Sequence, residues 1–529
     1  MRFPLALTAK IASHIVKHKL RKTPKFAMVL QLEPLHTCNL TCTGCGRIRE
    51  YSTSLKDMMS LEDCLGSAVE CEAPMVSICG GEPLIYPKIE ELVSGLLQQG
   101  RVVYICTNGM FMRKKMREYL AAHYSPAVEV MLLQLLAEKL ITEKEADAIR
   151  KADEKARARV TIGPSRWMYW NVHIDGLEYT HDLIVEREGV FQECVAAIKM
   201  AKRIGYQVAT NTTVYKETDV QEIEQMFEYF SALEVDGHTI SPGYDYDAAK
   251  KDMVKRLGKQ PEDFFMTRAM TRQKFAKIEE WGRRFTIFGT PVYQEFLSGK
   301  RELTCTAWAI PTRNIRGWKA PCYLMTDGHY GGYREMLEKV EWEKYGVVNG
   351  KARDPRCENC MVHCGYDPSG ALGTNYQRGQ AETVPPRPPR QSLQRILHRQ
   401  RAPGRSQGRP PRSGRREQLR QRRHFAARRF AGEDLRSQRV VNPDVQPDGE
   451  SARQESHSLG LRHPGLHFHL HRCRPGWDRS LRRLHRELES VGAALRPGGG
   501  RDRHLAYASG RLANALATPA HAAVNLGWA

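Results

Sequence analysis

The chain has no uninterrupted apolar run of about 18 residues, so the sequence predicts no membrane-spanning helix. Its N-terminus lacks the continuous apolar stretch and small-residue cleavage site of a secretory signal, because Lys10, His14, Lys17 and His18 interrupt it. A cytoplasmic protein is expected. Internal repeats are also absent, which excludes solenoid and propeller architectures. The largest absence is local: beyond Gln377 there is no Lys, no Met and one Ile, while that stretch holds 30 Arg against 12 acidic residues. Residues 1–377 carry 51 basic and 48 acidic side chains, so the formal charge of +21 comes mostly from the tail. A Lys-free mixture of Arg, Pro, Gly, Ser, Gln and His suits a disordered segment or a stretch read in the wrong frame, and 377–529 is set apart on that ground. The tail has no recognisable nucleic-acid-binding fold, and no specific nucleic-acid partner is expected.

What is present is enough apolar material for a large core, since 41% of the residues are hydrophobic. Between about Phe26 and Pro242, apolar runs at 28–32, 75–78, 102–106, 169–174, 207–213 and 237–240 read as strands. Amphipathic stretches around 60–71, 87–98, 111–121, 189–204 and 219–233 read as helices between them. This alternation predicts an α/β fold with a parallel sheet, open or closed into a full or partial barrel, with ligands at the C-terminal ends of the strands. The charged stretch 126–159 exceeds an ordinary connection and predicts an extra helical hairpin on the outside of the domain. Residues 1–25 place Leu5, Leu7, Ile11, Ile15, Val16 and Leu20 near one helical face with Lys and His opposite. That pattern suits a basic amphipathic helix lying on a membrane, or one packed on its own domain. Residues 243–376 read as a second, Cys- and aromatic-rich region.

Thirteen of the 14 cysteines precede the tail, and Cys38, Cys42 and Cys45 crowd onto one short loop after the first predicted strand. They stand too close for an ordinary disulfide framework and suit a metal centre in a reducing compartment. Three thiolates on such a loop can reach three irons of a cubane cluster and leave the fourth open to a bidentate small molecule. Structural zinc would need a fourth ligand, for which His36 is the neighbouring candidate.

The C-x3-C-x2-C spacing in CNLTCTGC resembles the signature of the radical S-adenosylmethionine (radical SAM) superfamily. Gly80-Gly81-Glu82-Pro83 after the second strand resembles that superfamily's GGEP motif, and Thr107-Asn108-Gly109 after the third resembles its TNG turn. The resemblance implies a partial (β/α)6 barrel and a 4Fe–4S cluster on Cys38, Cys42 and Cys45, with S-adenosylmethionine on the fourth iron. It places the backbone of residues 80–83 at the amino end of the methionine moiety, with Asn108 also at the cofactor. One electron then yields methionine and a 5'-deoxyadenosyl radical.

Longer stretches, at 32–48, 173–182, 188–191, 241–246, 311–324 and 357–369, resemble the adenosylhopane synthases of hopanoid biosynthesis, and the likeness runs over roughly residues 5–373. That family adds the 5'-deoxyadenosyl radical to the exocyclic alkene of diploptene, a hopene, to form adenosylhopane. The resemblance implies a carbon–carbon bond-forming transferase with a lipid substrate and a one-electron donor such as flavodoxin or ferredoxin. It also favours contact of the N-terminal helix with the inner membrane face. Addition leaves a tertiary radical that needs a hydrogen atom, and Cys106, at the end of the third strand, is the expected donor. A triterpene needs a wide apolar cavity, for which Trp167, Met168, Trp170, Phe285, Phe288, Trp308 and Trp318 are candidates.

Cys305, Cys322, Cys357, Cys360 and Cys364 form a second group, the last three as C-x2-C-x3-C. They suit an auxiliary iron–sulfur cluster, zinc, or structural thiols without metal, and His363 lies among them. His173, Asp175, Asn211 and Ser241 fall at predicted strand ends, where they would hold polar parts of a ligand or serve the fold. The alternative function is a radical SAM enzyme whose auxiliary cluster supports hydrogen abstraction from a peptide or another substrate.

Overall fold

The computed structural model describes residues 5–51, 54 and 56–373, so the predicted tail at 377–529 lies outside the described residues. Six strands, β1 (Val29–Glu33), β2 (Met75–Ile78), β3 (Val102–Thr107), β4 (Met168–His173), β5 (Gln207–Val214) and β6 (Gly237–Pro242), pair in sequence order, all parallel. Helices Leu61–Cys71, Ile89–Gln98, Met112–Ala122, Val190–Ile204 and Val220–Ala232 alternate with them. The period-two alternation of each strand sorts its residues between two faces. Val103, Ile105, Trp170, Val172 and Val208 meet helix residues such as Met116, Ile198 and Phe227 in one core.

The opposite face is apolar at the N-terminal end of the strands and polar at the other. Val102, Tyr104, Tyr169, Ala209 and Phe288 close together around Leu7, with the Tyr104 and Tyr169 rings stacked 4.9 Å apart. Farther along the same face stand Ser77, Cys106, Asn171, His173 and Asn211. This gradient leaves the hydrogen-bonding capacity at the C-terminal ends, where a polar ligand would be met.

The N-terminal helix, Leu5–Leu20, supplies that apolar floor. Leu7 is 2% exposed, Ile11 packs beside it, and Ile15 joins Phe26, Met28, Ala309 and Leu372. Lys17 pairs with Glu72 at 2.7 Å and His14 Nε2 lies 2.9 Å from the Ala27 carbonyl. Leu7, Ile11 and Ile15 of the apolar face that suited a membrane surface are thus spent on the chain's own fold, while Val16 and Leu20 stay exposed. Among the described residues no helix is long and apolar enough to cross a membrane. The stretch 126–159 folds as helices Pro126–Ala137 and Glu143–Arg150 and a short turn, Glu154–Arg157, with Thr142 and Glu145 forming a capping box between the first two.

The described residues after β6, up to 373, belong to the same unit as the strands before them. Strand β7 (Thr312–Asn314) pairs parallel with β1, and β8 (Gly317–Pro321) and β9 (Thr326–Tyr330) continue the same sheet antiparallel. The aromatic residues expected to line a wide cavity are dispersed. Met168 and Trp170 fall on the helix-facing side of β4, because Tyr169 and Asn171 take the inner positions. Phe288 belongs to the floor, with Trp167 packed against it. Phe285 packs on Phe227 behind the sheet, and Trp318 donates from Nε1 to Glu70 at 2.9 Å. Trp308 lies beside the second cysteine group.

Two buried histidines set an acid limit on stability. His238 Nδ1 lies 2.8 Å from Thr210 Oγ1 and its Nε2 3.0 Å from Ser231 Oγ, and burial lowers its pKa to about 3. Burial, aided by His173, lowers that of His181 to about 4. Both rings stay neutral in the fold while the unfolded chain takes up protons below its ordinary pKa near 6.5. Their contribution is therefore complete above about pH 6.5 and is lost as pH falls toward 4, each adding a slope of up to about 1.4 kcal/mol per pH unit. Urea unfolding between pH 8 and 4.5 should show the decline, shallower in His238→Gln; an equal slope in that variant would remove His238 from the account.

Candidate active site

Beyond β1 the chain enters the cysteine loop alongside the glycine turn that follows β2. Gly81 N donates to the Leu35 carbonyl at 2.9 Å and Glu82 N to the Thr37 carbonyl at 2.9 Å. Gly80 has φ +101°, and a Cβ on it would lie 2.4 Å from the Leu35 oxygen; a Cβ on Gly81 would lie 2.0 Å from that of Thr37. The glycines are thus required by the close approach of two backbones, and that contact fixes where the cysteine loop begins.

Glu82 carries the connection inward. Its carboxylate is buried and accepts from Leu84 N at 3.0 Å, Thr107 Oγ1 at 2.7 Å and Asn108 N at 2.9 Å. Burial raises its pKa to about 7, against the pull of those donors. Pro83 opens the short turn Pro83–Ile85. Asn108 Nδ2 donates to Asn39 Oδ1 at 2.8 Å and stands 3.7 Å from Cys38 Sγ. The cysteine loop, the GGEP turn and the TNG turn therefore form one hydrogen-bonded unit across the ends of β1, β2 and β3.

Cys38, Cys42 and Cys45 are free, half-buried thiols. Burial pushes Cys38 up to about 12 and also raises Cys42, with Cys45 adding to both, so a cationic partner is what would turn them into thiolates. More distant elements brace the loop: Thr43 N donates to the Ile184 carbonyl at 2.8 Å, Thr43 Oγ1 to Glu186 at 2.8 Å, and Gly46 N to Tyr246 Oη at 2.6 Å. Arg47, fully enclosed, pairs with Glu33 at 3.3 Å and Glu50 at 2.7 Å. His36 turns toward Glu33 and Tyr51 and takes a structural place.

The residues fit an open-iron cluster and its ligand. Among the described residues no three His, Cys, Asp or Glu groups converge on one point as a single-ion site requires. Asn171 Oδ1 is buried on the inner face without a hydrogen-bond partner, an acceptor left for a polar ligand.

Cys106 stands on that face between two neighbours, its Sγ 3.2 Å from Ser77 Oγ and 3.4 Å from Asn171 Nδ2. At the end of β4, His173 Nε2 lies 2.7 Å from Asp175, whose other oxygen accepts from Thr213 N at 2.7 Å. Burial alone would lower the His173 pKa, but the Asp175 carboxylate outweighs it and raises it. Asn211 is the register partner of His173 across β4 and β5. Ser241 Oγ meets His363 Nδ1 at 3.2 Å, which gives that histidine a partner other than metal. Cys305, Cys322, Cys357 and Cys360, drawn from distant parts of the chain, line one cavity; Cys364 packs with Tyr244, Ile310 and Val362. Sequence reasoning missed Asn39, Arg47, Glu186, Tyr246 and Tyr323, because nothing local marks a residue whose partner is far along the chain.

The radical SAM superfamily model matches residues 32–133, and a model described as a domain of unknown function (DUF3463) matches residues 238–383. No curated protein matches the chain significantly. Similar solved structures include SuiB of Streptococcus suis, 15% identical over 52% of each chain with TM-score 0.33, so this chain spans about half the length of that protein in the match. SuiB bound to S-adenosylmethionine is 12% identical over 72% of this chain and 79% of that one, with TM-score 0.39. Native anSMEcpe with bound AdoMet and Cp18Cys peptide is 14% identical over 67% and 91%, with TM-score 0.37. With three thiols on the loop after β1, held in place by the glycine and TNG turns, residues 32–133 form a radical SAM segment, whose cofactors are a 4Fe–4S cluster and S-adenosylmethionine.

Proposed function

We propose that the enzyme adds the 5'-deoxyadenosyl group of S-adenosylmethionine to the exocyclic alkene of diploptene, forming adenosylhopane. The observation that carries this reading is Cys106, a thiol on the inner face of the barrel, outside both cysteine groups and next to the Thr107-Asn108-Gly109 turn. The stretches that resemble adenosylhopane synthases supply the substrate class. When bound, the cluster provides one electron that cleaves S-adenosylmethionine to methionine and the 5'-deoxyadenosyl radical.

The remaining steps fall to the substrate and to the chain's own residues. Addition to the alkene leaves a tertiary carbon radical, which Cys106 quenches by giving its S–H hydrogen. Burial raises the Cys106 pKa and keeps it a thiol, the form that has a hydrogen atom to give. Ser77 and Asn171 hold its sulfur in place. One further electron and a proton restore the thiol, so each turnover takes two electrons and one proton. His173, held by Asp175, and Asn211 are placed to bind polar parts of the cofactor.

The cavity that Cys305, Cys322, Cys357 and Cys360 share supports one competing reading, a radical SAM enzyme with an auxiliary cluster that abstracts hydrogen from a peptide. One assay separates the two. The reconstituted full chain, given S-adenosylmethionine, a strong reductant and diploptene, should yield adenosylhopane by mass spectrometry. Formation of 5'-deoxyadenosine alone would discard the hopene substrate. Cys106→Ala should still consume S-adenosylmethionine while adenosylhopane falls by about tenfold or more, equivalent to roughly 1.4 kcal/mol, in favour of epimeric or unreduced products. An unchanged product would remove Cys106 from the reaction.

A further inference from the structure

One thiol inside the barrel has no part in the reaction described so far. Cys79 follows β2 directly, and its N donates to the Leu32 carbonyl at 2.8 Å, which carries the β1–β2 pairing one step past Ile78. Leu32, Ile78 and Ile105 face the helices, so Glu33, Cys79 and Cys106 take the inner face by alternation. Register aligns them as well. Leu32 pairs with Ile78, Ile78 with Ile105, and Cys106 with Asn171. The next step along β1, β2 and β3 therefore sets Glu33, Cys79 and Cys106 side by side, with Asn171 closing the row on β4.

This row joins two free thiols to an open carboxylate oxygen. Neighbouring strands run about 4.8 Å apart, inside the range of Cα separations, about 4.4–6.8 Å, that a disulfide spans. Cys106 Sγ rests 3.2 Å from Ser77 Oγ, and Ser77 precedes Cys79 by two residues on the same face. Burial raises the Cys79 pKa well above the usual thiol range, and Glu33 and Cys106 add to the rise, so Cys79 rests as a thiol. Glu33 is itself fully enclosed. Arg47 holds its Oε1 at 3.3 Å, while Oε2 has no hydrogen-bond partner and stands 3.7 Å from His36 Nε2. A buried carboxylate oxygen left open beside a thiol is a place for that thiol's proton.

We propose that Cys79 is a resolving thiol, which captures the Cys106 thiyl radical as a two-sulfur radical anion while Glu33 takes the proton that Cys79 gives up. The proposal rests on the reading of Cys106 as hydrogen donor. Once Cys106 has given its hydrogen atom, its sulfur carries an unpaired electron. The Cys79 S–H bond then breaks, its proton goes to Glu33 Oε2, and the electron pair left on Cys79 Sγ forms a three-electron bond to Cys106 Sγ. One electron from a flavodoxin-type donor cleaves that bond to two thiolates, which take the Glu33 proton and one more from solvent. The sum is one electron and one proton, the balance already required to restore Cys106. Capture makes the hydrogen transfer one-way, because a free thiyl can take the hydrogen back from the tertiary carbon.

Two measurements on the reconstituted full chain test this role. In the first, anaerobic oxidation with diamide, alkylation and peptide mass spectrometry should recover Cys79 and Cys106 joined by a disulfide; both recovered as alkylated thiols would remove the pair. In the second, adenosylhopane is followed through successive turnovers with S-adenosylmethionine, diploptene and reduced flavodoxin. Cys79→Ser should release about one equivalent of adenosylhopane in the native configuration, since Cys106 is intact, and then slow by at least about tenfold. That first equivalent also shows that the variant is folded. Cys106→Ala differs by failing in the first equivalent. A steady rate in Cys79→Ser equal to the native one overturns the resolving role, and so does the absence of a first equivalent in both Cys79→Ser and Cys79→Ala. Native protein that forms only 5'-deoxyadenosine overturns the diploptene reading and the thiyl step with it, and the disulfide then decides separately whether the two thiols stand as a pair.

Discussion

Cys38→Ala, Cys42→Ala and Cys45→Ala are each expected to abolish 5'-deoxyadenosine formation, a fall of at least about a thousandfold, or roughly 4 kcal/mol of lost barrier reduction. The size of the effect follows from the division of labour: the difficult bond cleavage belongs to the cofactor, and the chain contributes the means of holding it. The neighbouring His36 is buried, with Nδ1 3.2 Å from the Arg47 carbonyl and its ring edge-on to Tyr51. Iron content and 5'-deoxyadenosine, measured together, check the expectation. A variant that still cleaves S-adenosylmethionine would overturn the assignment of these three ligands.

Gly81→Ala should have the second-largest effect, at a residue that bears no reactive group. The added methyl would lie 2.0 Å from the Thr37 oxygen and 2.5 Å from the Thr37 carbonyl carbon, both backbone atoms that cannot rotate away. Relief requires the segment leading into Cys38 to move, which breaks the Gly81 N to Leu35 and Glu82 N to Thr37 hydrogen bonds. Overpacking together with two lost hydrogen bonds should cost about 3 kcal/mol or more. The displaced loop should also fail to take up its cluster. Gly66→Ala is the control, since a Cβ there meets nothing within 4 Å. It lies within the helix Leu61–Cys71 and should be neutral or stabilising by up to about 1 kcal/mol. Thermal unfolding and iron content of the two variants give the comparison; a Gly81→Ala protein as stable and iron-loaded as the native one would refute the steric argument.

Much of the fold was legible because its signals are local. Each predicted strand of the parallel sheet lies within a residue or two of its observed position, and the helices between them follow the apolar periodicity. The three motifs at the ends of β1, β2 and β3 were legible for the same reason, since fixed short spacings carry them. The aromatic lining was misjudged because a run such as Trp167-Met168-Tyr169-Trp170 does not reveal which alternate residues face inward. One step of register sends Trp170 to the helices and Tyr169 to the floor. The N-terminal helix was open to two readings because amphipathicity marks a face and does not name what covers it.

By itself, then, the sequence determined the alternating α/β pattern, the three-thiol loop and the two turns that accompany it, all set by residues close together in the chain. Only the tertiary structure decided that the glycine turn serves to admit the backbone of Leu35 and Thr37. It also decided that Leu7 fills the barrel floor, and that Cys305 and Cys322 join Cys357 and Cys360 on one cavity wall. Those outcomes depend on strand register and on contacts between residues far apart in sequence, which packing settles and local pattern does not encode.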